Sequence, residues 1–416
     1  AGSRTECSKK LAKYVRGGSP ESTLVGFGFK TSPRDAAMVN GASGHADDYD
    51  DTQLSTAPNR IYGLMTHPTV PVLSAALALG ESMDCSGEEL LEAFVAGFEV
   101  ECKLAEAIKP DHYRRGFHST GTLGTFGAWA AVGVLMSLGE KELRHSLGIA
   151  ASLSSGIRAN FGTMTKPLHA GMAASNGVIA CSLGAEGFTA DPKVLDGRWG
   201  FMKILGGGAD PEFLVDKLGN PYAIVHPGAT VKMYPCGSLG QPSMDAMLDI
   251  VIEENLRPGE VREIRLKAGP NILEPLRYDE PVDELQAKFS LQFGLASILL
   301  RRRAGLREYS MKWVNDPQLR EAMRRVRTIY DEDIAGMGMD RMRSFLEVEL
   351  VDGRVIKRIA ERARGTPEKP LKPHELDKKF MECATFRLSE DKAKKALEVV
   401  KEIEGLDTVG DLMALL

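Results

Sequence analysis

The longest run of this chain without a charged side chain starts beside Gly116 and ends at Gly139, and it constrains the fold more than any other stretch. Its length alone would allow a membrane span. Five glycines after Phe117, several Ser and Thr and a histidine argue against a lipid-facing helix. Comparable Gly/Ala/Ser-rich stretches at 146–157 and 170–185 supply surfaces against which such a helix can pack. Small side chains let backbones approach closely, so the three stretches together predict a central buried helix bundle. The Gly121, Gly124 and Gly127 spacing is a poor phosphate loop, because no lysine follows it and no strand pattern precedes it.

A chain of 416 residues can bury a full core, and at ~150 residues per domain two domains are expected. With 26% charged residues and a net charge of -5, it carries no basic face of the kind that binds nucleic acid. Small-molecule chemistry is favoured. The cysteines at 7, 85, 102, 181, 236 and 383 form no Cys-x-x-Cys pair, which disfavours zinc, a redox motif or a disulfide framework and fits a reducing compartment. The first residues have no apolar signal core. Cytoplasmic localisation is expected, or mitochondrial for a eukaryotic source.

Residues 4–16 read as a short amphipathic helix closed by Gly17-Gly18-Ser19-Pro20. A second helix starts at Ser32-Pro33 and leads into the acidic run Asp47-Asp48-Tyr49-Asp50-Asp51. If the helix continues through the run, Asp48, Asp51 and Thr52 share one face, and a carboxylate there can face a pocket. Such a run is otherwise a solvated face or a cap. A connection of about fourteen residues, Gln53 to Thr66, is long enough to suggest function. It ends at His67-Pro68, just before an apolar helix, where a helix N-terminus favours a neutral imidazole and attracts anions. Lys166 lies in a turn-like Gly/Thr/Pro segment ahead of the 170–185 stretch, a cation at the mouth of a packed helix. By itself it would be an ordinary loop charge. The weight comes from its company, since His67, His118 and the acidic run also border small-residue helices.

After residue 225 the pattern changes. Val261–Ala268 and Leu346–Leu350 alternate charged and apolar residues, and Asp352-Gly353 is a hairpin turn dipeptide. Helical patterns intervene at 242–255 and 284–303. Residues 226–370 therefore read as a smaller α+β domain beside a helical one of 1–225, to which the helical tail 371–416 returns, with Ser389 as an N-cap.

Five stretches now form one pattern: His45-Ala-Asp-Asp-Tyr-Asp-Asp-Thr52, His67-Pro-Thr-Val-Pro-Val72, Gly116-Phe-His-Ser-Thr-Gly-Thr-Leu-Gly124, Gly162-Thr-Met-Thr-Lys-Pro-Leu-His-Ala-Gly171 and Tyr234-Pro-Cys-Gly-Ser238. Together they resemble the MmgE/PrpD family, which includes 2-methylcitrate dehydratase, cis-aconitate decarboxylase and iminodisuccinate epimerase. The resemblance implies a mainly α protein, with a large helical domain built from both chain ends, an α+β lid and an active site between them. It also implies a homodimer that works without a metal or organic cofactor, and a chain that starts inside the family's helical domain. It places catalytic roles at Asp48, His67, His118 and Lys166, and substrate contacts at Thr52 and Tyr278. Lys166 would bind carboxylate and stabilise a carbanion-like state, the histidines would move protons or bind carboxylate, and Asp48 with Thr52 would orient them.

One departure stands out. Seven residues after Tyr234 the family commonly has histidine, and here that residue is Gln241, a neutral amide expected in the substrate's wall. On that placement the pocket holds one potential cation fewer, and a less highly charged acid is preferred. The implied activity is that of a lyase, a dehydratase or decarboxylase of a small di- or tricarboxylate, with a dicarboxylate epimerase as the alternative in the same fold. A catalytically silent helical scaffold is the rival of another class. A magnesium-dependent terpenoid synthase is disfavoured, because Asn315-Asp316-Pro317-Gln318-Leu319 has leucine where a Ser or Thr ligand is needed.

Overall fold

The computed structural model describes residues 1–53, 66–337 and 342–416. Its first part is helical: α1 Glu6–Tyr14, α2 Pro33–His45, α3 Thr69–Ser82, α4 Gly87–Ala107, α5 Gly124–Leu135, α6 Glu140–Leu153 and α7 Thr165–Ala185. Local chemistry sets the starts. Ser32 caps α2 by accepting from the Asp35 amide with Pro33 in the first turn, and Ser86 with Glu89 forms a reciprocal capping box at α4. The uncharged run becomes α5, packed against α3, α4, α6 and α7 and so in contact with solvent over little of its surface. That is the helical core expected from the sequence. Among the described residues no helix is long and apolar enough to cross a membrane.

Helices α2 and α7 pack with their backbones in contact, and glycine makes it possible. A Cβ at Gly171 would lie 2.2 Å from the Met38 carbonyl oxygen, and one at Gly41 would lie 2.9 Å from Gly171 Cα. The two helices that deliver Asp48 and Lys166 are therefore in backbone contact just beside the residues they present.

Two short strands, β1 Asp51–Gln53 and β2 Ala229–Val231, pair antiparallel with Thr52 opposite Thr230. This ladder brings the acidic run next to Lys232. The expected loop from Gln53 to Thr66 covers residues 54–65, outside the described residues, although the Gln53 amide bonds the Thr66 carbonyl at 3.1 Å.

Further along lie α8 Gln241–Glu253, β3 Val261–Ala268, α9 Leu291–Arg301, α10 Pro317–Arg324, β4 Val326–Tyr330, β5 Ser344–Leu350 and β6 Val355–Ala360. The sheet order is β4-β3-β5-β6, parallel between β3 and β4 and antiparallel elsewhere. Ile264 and Leu266 face Val348 and Leu346 in register and are fully buried, with α8 and α9 packed against the sheet. On the opposite face Arg265 bonds Glu263, Glu347 and Glu349, which explains the charged half of the alternation. The hairpin turn at Asp352-Gly353 forms as expected, with Gly353 at φ +93°.

The tail contributes α11 Pro373–Ala384 and α12 Glu390–Lys401 and ends against the first helices. Val409 N donates to Cys85 O at 2.8 Å, Gly26 N donates to Leu416 O at 3.0 Å, and Val409 and Met413 share a core cluster with Val72 and Leu90.

Candidate active site

The acidic run does not continue the helix. α2 stops at His45, the backbone turns back on itself with Asp48 at φ +51°, and β1 takes over at Asp51. The expectation that Asp48, Asp51 and Thr52 share a helical face is therefore corrected. Mutual repulsion is relieved because each carboxylate finds its own partner, so none needs to face solvent. Asp47 pairs with Arg4 at 2.7 Å and Lys288 at 3.2 Å, and Asp50 accepts from His45 Nδ1 at 2.6 Å. Asp51 accepts from Thr69 Oγ1 at 2.8 Å.

Asp48 is the centre of the arrangement. Its Oδ2 accepts from Lys166 Nζ at 2.7 Å and its Oδ1 from Lys232 Nζ at 2.5 Å, and all three side chains are buried. Lys166 is not a loop cation, as its sequence surroundings suggested. It occupies the first turn of α7, below the rings of Phe161 and Phe289 at 5.4 and 5.1 Å from their centres. Burial opposes charge on Asp48, but the two ammonium groups outweigh it and hold its carboxyl well below the usual range. Burial lowers the Lys166 pKa, assisted by Lys232 and opposed by Asp48. For Lys232, burial is overcome by Asp48 and Asp50, which raise it.

Three imidazoles stand beside this pair. His67 Nδ1 is 2.6 Å from the Asp51 carbonyl oxygen, which can only accept, so Nδ1 carries the proton and Nε2 has the lone pair. His45 lies between His67 and His118, with ring centres 4.7 and 5.9 Å away. His118 Nδ1 is 3.0 Å from His169 Nδ1. The Nε2 atoms of His45 and His118 are buried with no partner among the described residues. Burial, then the charge of Lys232, takes His67 down to about 3, and burial with Lys166 pushes His118 well below its ordinary value. At neutral pH the rings are uncharged.

Asp48, His67, His118 and Lys166 line one cavity of about 30 Å³, closed by Tyr113, Phe161, Ser238, Leu239, Leu276 and Phe289. Four of the sequence-nominated residues thus meet at one wall. Thr52 stands just behind it, bonded to Ser238 Oγ at 2.6 Å and 3.4 Å from His67 Nδ1. Tyr278 acts at one remove: its hydroxyl donates to the Phe161 carbonyl at 3.2 Å, bracing the turn that precedes Lys166. Gln241 is placed elsewhere, and the expectation that it lines the substrate's wall is corrected. Its Oε1 accepts from the Met233 and Tyr234 amides at 3.1 and 3.2 Å, and its Nε2 donates to the Tyr234 carbonyl at 2.8 Å. The side chain folds onto its own loop, so its neutrality sets no charge in the cavity.

Sequence reasoning missed Lys232, His45 and His169. His45 and His169 lie inside quoted motifs and Lys232 two residues before another, but only the fold shows that they meet the site. His45, Asp48 and His67 also bring ligand atoms within 4.8 Å of one another, a spacing a metal ion could use. Both Asp48 oxygens already hold ammonium groups, and those charges repel a cation. The set suits an anion better.

The MmgE/PrpD N-terminal domain matches residues 1–214 and the MmgE/PrpD C-terminal domain matches residues 234–404. Cis-aconitate decarboxylase of Homo sapiens is 30% identical over 92% of this chain and 79% of its own length. The protein of the same name from Mus musculus is 28% identical over 100% of this chain and 85% of its own. The one from Aspergillus terreus is 25% identical over 100% and 88%.

Proposed function

This chain belongs to the MmgE/PrpD family, and on that premise we propose that it is a lyase that removes carbon dioxide or water from a small di- or tricarboxylate. One observation carries the reading. A buried carboxylate is shared by two ammonium groups, beside imidazoles whose outer nitrogens have no partner among the described residues. Unsatisfied buried polar atoms are costly, and a scaffold with no ligand has no use for them. A bound hydroxy or unsaturated acid can supply partners, its carboxylate accepting from an Nε2–H and its hydroxyl or departing proton meeting an Nε2 lone pair. The names of the relatives add decarboxylation of cis-aconitate as the first reaction to try.

In this reading Lys166 receives a substrate carboxylate and stabilises the negative charge that builds up as a proton or carbon dioxide leaves the adjacent carbon. Lys232, behind Asp48, keeps that carboxylate ionised and Lys166 aimed. Asp48 is too well stabilised as an anion to be a good base. The proton carriers are His67, whose lone pair is at Nε2, and His118, and Thr52 fixes the His67 ring. The apolar walls from Phe161, Leu276 and Phe289 exclude water and strengthen each charge interaction. Dehydration and epimerisation begin with the same proton abstraction, so the site chemistry is common to all three outcomes. The homodimer and the helical body with an α+β lid, both implied by family resemblance, belong to the same proposal.

The test is to incubate the purified chain with cis-aconitate, citrate, 2-methylcitrate and related diacids and to follow products by NMR, with and without EDTA. Turnover of at least one acid, unchanged by EDTA, is expected. An inert protein would sink the lyase reading, and activity lost to EDTA and restored by magnesium would make the acidic run a metal site.

A further inference from the structure

His118 is more deeply buried than His169, and its direct access to solvent is correspondingly restricted. Only 1% of its surface is exposed, against 9% for His169, and its Nε2 is buried with no partner among the described residues. Its other nitrogen is bonded Nδ1 to Nδ1 with His169 at 3.0 Å. Such a bond holds a single proton, so one ring donates and the other accepts. The His169 ring is wedged in place: a Cβ on Gly121 would lie 3.1 Å from His169 Cβ, and one on Gly156 would lie 3.3 Å from its ring. The Gly156 carbonyl in turn accepts from the His118 amide at 3.0 Å. Two glycines therefore hold the pair in register.

We infer that His169 is a positioning residue that passes a proton between solvent and His118, and that the direction of their shared hydrogen bond decides whether His118 acts as acid or base. The inference rests on the lyase reading. When carbon dioxide leaves, the C–C bonding pair stays on the substrate carbon and takes the Nε2 proton of His118. The Nδ1 proton of His169 moves to His118 Nδ1, and a solvent proton adds to His169 Nε2. One proton is consumed, as decarboxylation requires. In the other direction, His118 Nε2 takes a substrate proton while its Nδ1 proton passes to His169, which releases one to water. As the cavity opens for product release, a solvent proton adds to His118 Nε2, its Nδ1 proton returns to His169 Nδ1 and the His169 Nε2 proton leaves to solvent, which resets the pair. The charged and titratable groups facing the two rings are Lys166, His45 and His67 at His118, and His45 and Lys166 at His169. Burial, with His45 and Lys166, brings His169 down to about 4, so it stays neutral while it relays.

The test uses His169→Asn in the full chain. Asparagine can still bond His118 Nδ1 but cannot relay a proton. Expected results are an unchanged melting temperature, a KM within about twofold, and a kcat lower by ~10–100-fold, the scale of one proton-transfer group. Added imidazole should restore part of the loss, more strongly as its neutral form increases. A kcat within about twofold of wild type across pH, or a loss that imidazole does not restore, overturns the relay. If the variant fails to fold, histidine-ring ¹⁵N spectra of the wild-type protein decide. One of the two Nδ1 atoms should carry a proton and the other be bare, and two bare atoms overturn the inference. These spectra need no substrate, so they stay informative if no acid is turned over and the lyase reading fails alone.

Discussion

Asp48 has two lysine partners, and its partners do not depend on it equally. Removing Lys166 leaves Asp48 bonded to Lys232, whereas removing the carboxylate leaves two buried ammonium groups 0–6% exposed with no shared counter-charge. Asp48→Asn is therefore expected to lower the unfolding free energy by about 3–5 kcal/mol, the scale for breaking a buried pair, and Lys166→Ala by clearly less. Both should reduce kcat/KM, by ~10²-fold or more for Lys166→Ala, the scale of one electrostatic stabiliser. Urea unfolding and steady-state kinetics check the order, and a Lys166→Ala protein less stable than Asp48→Asn would reverse it. Buried histidines make a second prediction. His67 lies at about 3, and His112 and His169 at about 4, mainly through burial, so below the ordinary value of about 6.5 the unfolded chain binds protons that the fold refuses. Their contribution is complete above pH ~6.5 and is lost as pH falls toward 4. Asp51, raised to about 6 by burial and Asp50, has the opposite sign: its contribution is present below its ordinary value and lost as pH rises through 6. His45 and His118 are lowered as well, and Glu101 is raised by burial like Asp51, so five histidines outweigh two carboxyls; urea midpoints should fall between pH 6.5 and 4.5, and a rise would contradict the burial described.

Helices α2 and α7 act as one element because Gly41 and Gly171 let their backbones touch. Gly171→Ala puts a methyl 2.2 Å from the Met38 carbonyl, which no rotamer can relieve, so the helices must separate. Overpacking of this kind costs about 1–3 kcal/mol. Here it should also cost activity, since α2 leads into Asp48 and α7 carries Lys166. Gly184, on the same helix far from the cavity, is a control: its Cβ would meet the Ser146 side chain and the Glu142 carbonyl. If Gly184→Ala and Gly171→Ala lose stability alike but only the latter loses turnover, the geometry of the pair is what matters. Equal turnover in both would mean that the active site tolerates the displacement.

A cavity of about 30 Å³ holds about one water molecule and no tricarboxylate. Binding of such an acid therefore requires the cavity to widen. One side of the cavity comes from α7 and the turns around Asp48, His67 and His118, and the other from residues 237–239, 275–276 and 289. Separation is expected on that second side, which meets the helical wall through side-chain packing, the Ser238 to Thr52 and Tyr278 to Phe161 hydrogen bonds, and Lys288 bonded to Ala46 and Asp47. A bound diacid should slow amide exchange around residues 275–291 and 161–166 together while leaving β3 and β5 unchanged. Protection spread evenly over the sheet would indicate a global effect and no closure at this seam.

The sequence by itself determined the mainly helical fold, the buried central helix, the half-exposed strands and hairpin, and the cavity positions of Asp48, His67, His118 and Lys166. Those features depend on short-range chemistry: small-residue runs, alternation, caps and motifs that keep their spacing along the chain. Tertiary structure alone decided the rest. Lys232 reaches Asp48 because β1 pairs with β2, Thr52 lying opposite Thr230 at a sequence separation of 178, which no local pattern records. His169 meets His118 because α7 packs against the turn before α5, and Gln241 turned from the wall because its amide found backbone partners nearer at hand. The acidic run looked helical because α-helical spacing was the only local geometry available to it. The fold offered each carboxylate its own partner, cations for Asp47 and Asp48, the His45 ring for Asp50 and the Thr69 hydroxyl for Asp51, and those bonds are lost if the run stays helical.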